Sequence, residues 1–145
     1  TAHHGVCMKT MIRYVSSFQR MLKMIRLDDY EMNRFITLPD GQKIVLRNIT
    51  YTEYYNHTII IHSKKRADLQ TRMSQMEWEA LLADYNFLYS CSKGLVVNFH
   101  EVEKPEDGMF VLKNGELVPI SRRKTKDALE AYAQFRFEEM RKGGK

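Results

Sequence analysis

Ile49-Thr50-Tyr51-Thr52-Glu53-Tyr54, then Asn56-His57, then Thr58-Ile59-Ile60-Ile61-His62 is the stretch that decides the fold. The first run is β-branched or aromatic at nearly every position, and a period of two places Ile49, Tyr51 and Glu53 on one face. Asn56-His57 has the chemistry of a tight turn, and the second run is again a strand. Two strands joined by so short a connection pair antiparallel, because a parallel pair needs a crossover of a dozen residues or more.

Working outward, the same grammar continues on both sides. Upstream, Phe35-Ile36 and Leu38 precede Pro39-Asp40-Gly41, a turn signal, and Ile44-Val45-Leu46 follows it. Downstream, Lys64-Lys65-Arg66-Ala67 is a charged turn leading into a strand from Asp68 to Met73. Ser74 with Glu77 three residues later has the spacing of a capping box, so a short helix starts there and runs to about Asp84–Asn86. Strands return at Phe87–Ser90, Leu95–Val97 and Phe110–Leu112, and Asn114-Gly115 marks a hairpin into Leu117–Ile120. Lys126 to Met140 has helical composition and no breaker, with Gly143-Gly144 beyond it. The expected fold is mainly β with flanking helices, its strands paired as an antiparallel meander.

At the other end, Met11, Tyr14, Val15, Phe18, Leu22 and Ile25 recur at spacings of three and four, a helical stripe backed by Arg13, Arg20, Lys23 and Arg26. Residues 1–32 therefore read as a helical extension or linker, and residues 33–142 as one β-rich domain.

Composition narrows the function. Of 145 residues, 43% are apolar and 28% charged, which suits one folded domain and not a disordered chain. No apolar run reaches the roughly 18–20 residues of a membrane span, so no membrane partner is expected. Residues 1–10 lack the apolar stretch of a signal peptide. Cys7 and Cys91 are the only cysteines and lie far apart, which fits a reducing, cytoplasmic setting. Enzyme signatures are missing: there is no phosphate-cradling glycine loop, G-x-S-x-G or His-Glu-x-x-His. His3, His4 and Cys7 have no second cluster to complete a metal site, and Cys91 with His100 reads as packing in place of a nucleophile and base. Neither catalysis nor a cofactor is expected.

The net charge of +5 is unevenly placed: +3 over residues 1–38, zero over 39–104 and +2 over 105–145. Basic or polar residues fall at turns, namely Asn56-His57, Lys64-Lys65-Arg66, Ser92-Lys93 and Ser121-Arg122-Arg123-Lys124. Turns gathered at one edge of a sheet can meet phosphates and base edges.

The order of these features resembles the LytTR DNA-binding domain of bacterial two-component response regulators. Ile49-x-Tyr51-x-Glu53 with His57 and Ile59-x-Ile61 is similar to that family's I-x-Y-x-E strand and the strand after it. Ser74 to Leu82 matches its central helix. Phe87-Leu88-Tyr89-Ser90-Cys91-Ser92-Lys93-Gly94-Leu95-Val96-Val97-Asn98 resembles its F-x-R-x-H-x-S-x-x-V-N region, and Asn114 to Arg123 its N-G-x-x-x-P-I-S-R ending.

The resemblance implies an elongated antiparallel β domain whose loops enter successive major grooves of double-stranded DNA. It implies a sequence-specific transcription regulator that binds direct-repeat promoter sites as a homodimer. The base-contacting positions fall on His57, Lys93 and Arg122, with Ser92, Arg123 and Lys124 as backbone-positioning neighbours. Glu53 and Asn98 take structural roles.

Two departures stand out. The turn that often reads H-R-S is Ser92-Lys93-Gly94 here, and Ser90 replaces an arginine. Residues 1–30 are too short for a receiver domain. They resemble the last helix and linker of one, or an unrelated extension, so a sensor histidine kinase is a partner only if the full protein carries a receiver. Cys91, beside the expected reading turn, is a candidate oxidation sensor. The rival reading is a protein-interaction module that uses the basic helix at 8–27.

Overall fold

The computed structural model describes residues 32–64 and 66–144. The expected helical extension, with its rival role in protein interaction, lies outside the described residues, as does Lys65.

Among the described residues, ten strands form three antiparallel sheets. A hairpin of β1 (Phe35–Thr37) and β2 (Lys43–Val45) comes first. The second sheet has five strands in the order β5-β4-β3-β7-β6, namely Leu69–Arg72, Thr58–Ser63, Ile49–Tyr55, Leu95–Asn98 and Leu88–Ser92. The third is β8 (Val102–Glu106), β9 (Met109–Leu112) and β10 (Leu117–Pro119), with β9 in the middle. Helix α1 (Gln75–Leu82) joins β5 to β6, and α2 (Thr125–Gly144) closes the chain.

Two differences from the sequence expectation have clear causes. Strand β8 reads Val-Glu-Lys-Pro-Glu, too polar to announce itself. It sits at the sheet edge, where Pro105 can oppose Phe110 without supplying a ladder N–H on both sides. Helix α1 stops at Leu82, where Ala83 N–H bonds Ala80 and tightens the end.

The five-stranded sheet buries one face. Thr52, Ile59, Ile61 and Val96 are almost inaccessible, and Trp78 of α1 packs on them with its indole Nε1 donating to Thr52 Oγ1 at 2.9 Å. Ser74 caps α1 in both directions, accepting from Glu77 N–H while Glu77 Oε1 accepts from Ser74 N–H. Phe99 lies within 5.3–5.7 Å of the rings of Tyr89, Phe110, Tyr132 and Phe135. That cluster ties β6, β9 and α2 into one core, each ring pair adding about 0.5–1.5 kcal/mol beyond its buried area. Asn98 is fully buried: its amide donates to Ile49 O at 2.8 Å and its carbonyl accepts from His100 N–H.

The opposite face is polar at its centre. His62 Nε2 lies 2.6 Å from Glu53 Oε2 and Nδ1 2.8 Å from Asp68 Oδ2, and its ring stacks on Tyr51 at 4.2 Å. Carboxylates only accept, so both contacts are hydrogen bonds only when the ring carries two N–H groups. Glu53 is thus engaged within the fold.

Candidate nucleic-acid interface

Register decides which turns share an end of the five-stranded sheet. Tyr55 pairs with Thr58, so the β3–β4 turn, Asn56-His57, lies just past that pair. Both turn residues have positive φ, 52° and 64°, the signature of a two-residue hairpin turn whose twist matches its strands. Glu53 pairs with Leu95, so β7 begins beside the same end of β3. The Lys93-Gly94 turn that feeds β7 therefore emerges next to Asn56-His57.

Tyr54 connects the two turns. Its N–H donates to Gly94 O at 2.9 Å, and its hydroxyl pairs with His57 Nδ1 at 3.4 Å. Gly94 has φ +78°, which lets the backbone turn back against Tyr54. His57 and Lys93 are both exposed and Ser92 is half-buried.

The third segment joins from the side. Cys91 is the extra residue of a bulge between Ser90 and Ser92, on edge strand β6. Ser121 N–H donates to Cys91 O at 2.9 Å, and Lys124 Nζ donates to Ser90 O at 2.8 Å. The segment Arg122–Lys124 is a short 3₁₀ turn capped by Ser121, whose Oγ accepts from Lys124 N–H. It carries Arg122 and Arg123 into solvent beside the Ser92–Gly94 turn.

The six residues singled out from the sequence thus gather at one end of the sheet. His57, Lys93, Arg122 and Arg123 have no side-chain hydrogen bond or ion pair among the described residues, apart from the His57 link to Tyr54. Lys124 differs, since its ammonium is already directed at Ser90 O. Sequence reasoning missed Tyr54 as the connector, because only the register reveals that it touches both turns. It also passed over Arg72, which is exposed at the end of β5 opposite Thr58. The basic stretch at Lys64 and Arg66 is not part of this end: Lys64 pairs with Glu101 at 2.9 Å and Arg66 reaches Gln42.

Cys91 is fully buried, its thiol directed at Pro119 O, and burial pushes its pKa up to about 12. The neutral thiol is a poor nucleophile and a poor target for oxidants. Among the described residues no group of three His, Cys, Asp or Glu is placed to hold a metal, and no helix is long and apolar enough to cross a membrane.

Comparison with known proteins agrees with this architecture. Residues 41–133, well over half the chain, match the family model described as the LytTr DNA-binding domain. A solved Bacillus cereus structure, described as the LytTr DNA-binding domain of a response regulator, superposes with a TM-score of 0.56 at 18% identity. The match covers 68% of this chain and 94% of that one, and shows a shared fold. No curated protein matches. The chain belongs to the LytTr DNA-binding domain family.

Proposed function

We propose that this chain is a sequence-specific DNA-binding transcription regulator that reads the major groove through Asn56-His57, Ser92-Lys93-Gly94 and Ser121-Arg122-Arg123. The observation that carries the reading is the convergence of these three segments, braced by Tyr54 and by the β6 carbonyls, on one end of the sheet.

Each residue has a chemical role. Arg122 offers a planar fork suited to guanine O6 and N7, and Lys93 a compact charge with three donors. His57 can donate or accept at a base edge. Ser92 and Arg123 hold phosphates. Lys124 braces the segment that presents Arg122, and two of its three N–H donors remain available to the DNA backbone. On the family's pattern the targets are direct repeats engaged by a homodimer in the cytoplasm, and a sensor histidine kinase acts upstream where a receiver domain is attached.

The test is selection of DNA from a random pool by the purified chain at two salt concentrations. A repeated motif should emerge, with affinity falling steeply as salt rises. Arg122→Ala and Lys93→Ala should each cost about 1–3 kcal/mol on the selected site and relax preference at particular base pairs. Weak binding without sequence preference would reject the reading.

A further inference from the structure

The end of the sheet carries a second set of groups that the turns do not account for. Tyr55 on β3, Thr58 on β4 and Arg72 on β5 stand directly opposite one another in register. Paired residues in an antiparallel sheet share a face, so the three form one row across three strands. Tyr55 is 73% exposed, the second most exposed large apolar side chain among the described residues after Met76, and no aromatic contact covers it. Arg72 is exposed and has no hydrogen bond, ion pair or ring partner among the described residues. Thr58 is occupied with the turn, its Oγ1 donating to Asn56 O at 3.3 Å.

The row is tied to the turn that holds His57. Met73 N–H, one residue beyond Arg72, donates to His57 O at 3.1 Å, and Met73 leads into the capped start of α1. Arg72 is therefore held in place by the backbone on both sides. Adjacent strands lie about 4.8 Å apart, which puts β5 about 7 Å to the side of the centre of the β3–β4 turn. Half the width of a major groove is about 6 Å. With the turn lowered into the groove, Arg72 comes to lie over the strand of phosphates that bounds it.

Charge on this face selects the same end. One row further in stands Glu53, with Asp68 and Glu116 near Tyr51, and these carboxylates would repel a phosphate. His62 is occupied by Glu53 and Asp68, so the cation left free of a partner on this face, among the described residues, is Arg72 at the outer row.

Resting on the DNA-binding reading above, we infer that Arg72 is a phosphate clamp on the DNA backbone that flanks the groove entered by His57, with Tyr55, two strands away in the same row, adding a weaker hydroxyl contact. The clamp fixes register and carries no base preference of its own.

The experiment measures affinity against salt for the wild type, Arg72→Gln and Tyr55→Phe, on the selected site and on unrelated duplex DNA. Both positions are exposed, so the variants should fold, which circular dichroism checks. The expected result is a several-fold loss at low salt of the same size on both DNAs for Arg72→Gln, with the slope of log K against log salt reduced in magnitude by about 0.9. Tyr55→Phe should give a smaller uniform loss with the slope kept. Unchanged affinity for Arg72→Gln while the wild type binds its site would overturn the clamp and leave the regulator reading standing. Loss confined to the selected site, with an unchanged slope, would also overturn it by making Arg72 a base reader. A wild type that binds no DNA would remove both readings together.

Discussion

His57 has φ of 64°, a conformation that L side chains other than Asn and Gly occupy at a cost of about 1 kcal/mol. Its imidazole does nothing for the core, since the residue is exposed. His57→Gly should therefore leave the denaturation midpoint unchanged or raise it slightly, while weakening DNA binding; a joint fall in stability and affinity would reassign the histidine to the scaffold. Gly94 behaves oppositely. A Cβ there would sit 3.6 Å from Tyr54 Cβ, an ordinary contact, so the cost of Gly94→Ala is the strained backbone at φ +78°, about 1–2 kcal/mol. Chemical denaturation measures it. At Cys91 the expectation is inertness: in a Cys7→Ala background a thiol reagent should label Cys91 only as fast as the protein opens, and oxidants should not alter DNA affinity. Fast labelling under native conditions would contradict the burial seen for that side chain.

Among the elements, α1 owes its start to reciprocal bonds between Ser74 and Glu77. Ser74→Ala should cost about 1 kcal/mol in a melting or denaturant experiment. The same helix places Arg72 and Met73 at its entrance, so the substitution should also reduce DNA affinity modestly. The capping box was legible because Ser and Glu at that spacing have few other uses. The hairpin at Asn114-Gly115 was legible for a similar reason, as were β3 and β4, whose residues are mostly β-branched or aromatic. Strand β8 was not legible: its Glu, Lys and Pro are what an exposed edge requires, and an edge looks like a loop when only sequence is available. The site divides along the same line. His57, Lys93 and Arg122 lie at turns marked by local chemistry. Tyr54, the bracing bond of Lys124 and the exposure of Arg72 come from pairing between distant strands, and no local pattern encodes register.

For the whole molecule, one buried acid, Cys91, and one half-buried acid, Tyr51, set an alkaline limit. Burial pushes both the Cys91 thiol and the Tyr51 phenol up to about 12, with Glu53, Glu116 and Asp68 adding to the effect at Tyr51. The folded chain therefore keeps protons that the unfolded chain releases near 9 and 10, the ordinary values of these groups. Stability is complete below that range and falls as pH climbs toward 12. Melting temperatures of wild type, Cys91→Ala and Tyr51→Phe across pH 8–11 check it, each variant being expected to flatten part of the decline. A flat wild-type profile would count against it.

The three reading segments, 56–57, 92–94 and 121–123, are far apart in the chain and meet only because β3, β6 and β7 are paired and the 3₁₀ turn is pinned to β6. An unfolded chain has no partial version of this surface. Target DNA therefore binds one state alone, and by mass action it acts as a thermal stabiliser, worth about 2.7 kcal/mol at a hundred times its dissociation constant. Phe110→Ala, which hollows the aromatic cluster and should cost about 3–5 kcal/mol, should then lower the fraction of molecules competent in a titration. The survivors should keep the wild-type dissociation constant, and saturating operator DNA should restore much of the lost melting temperature.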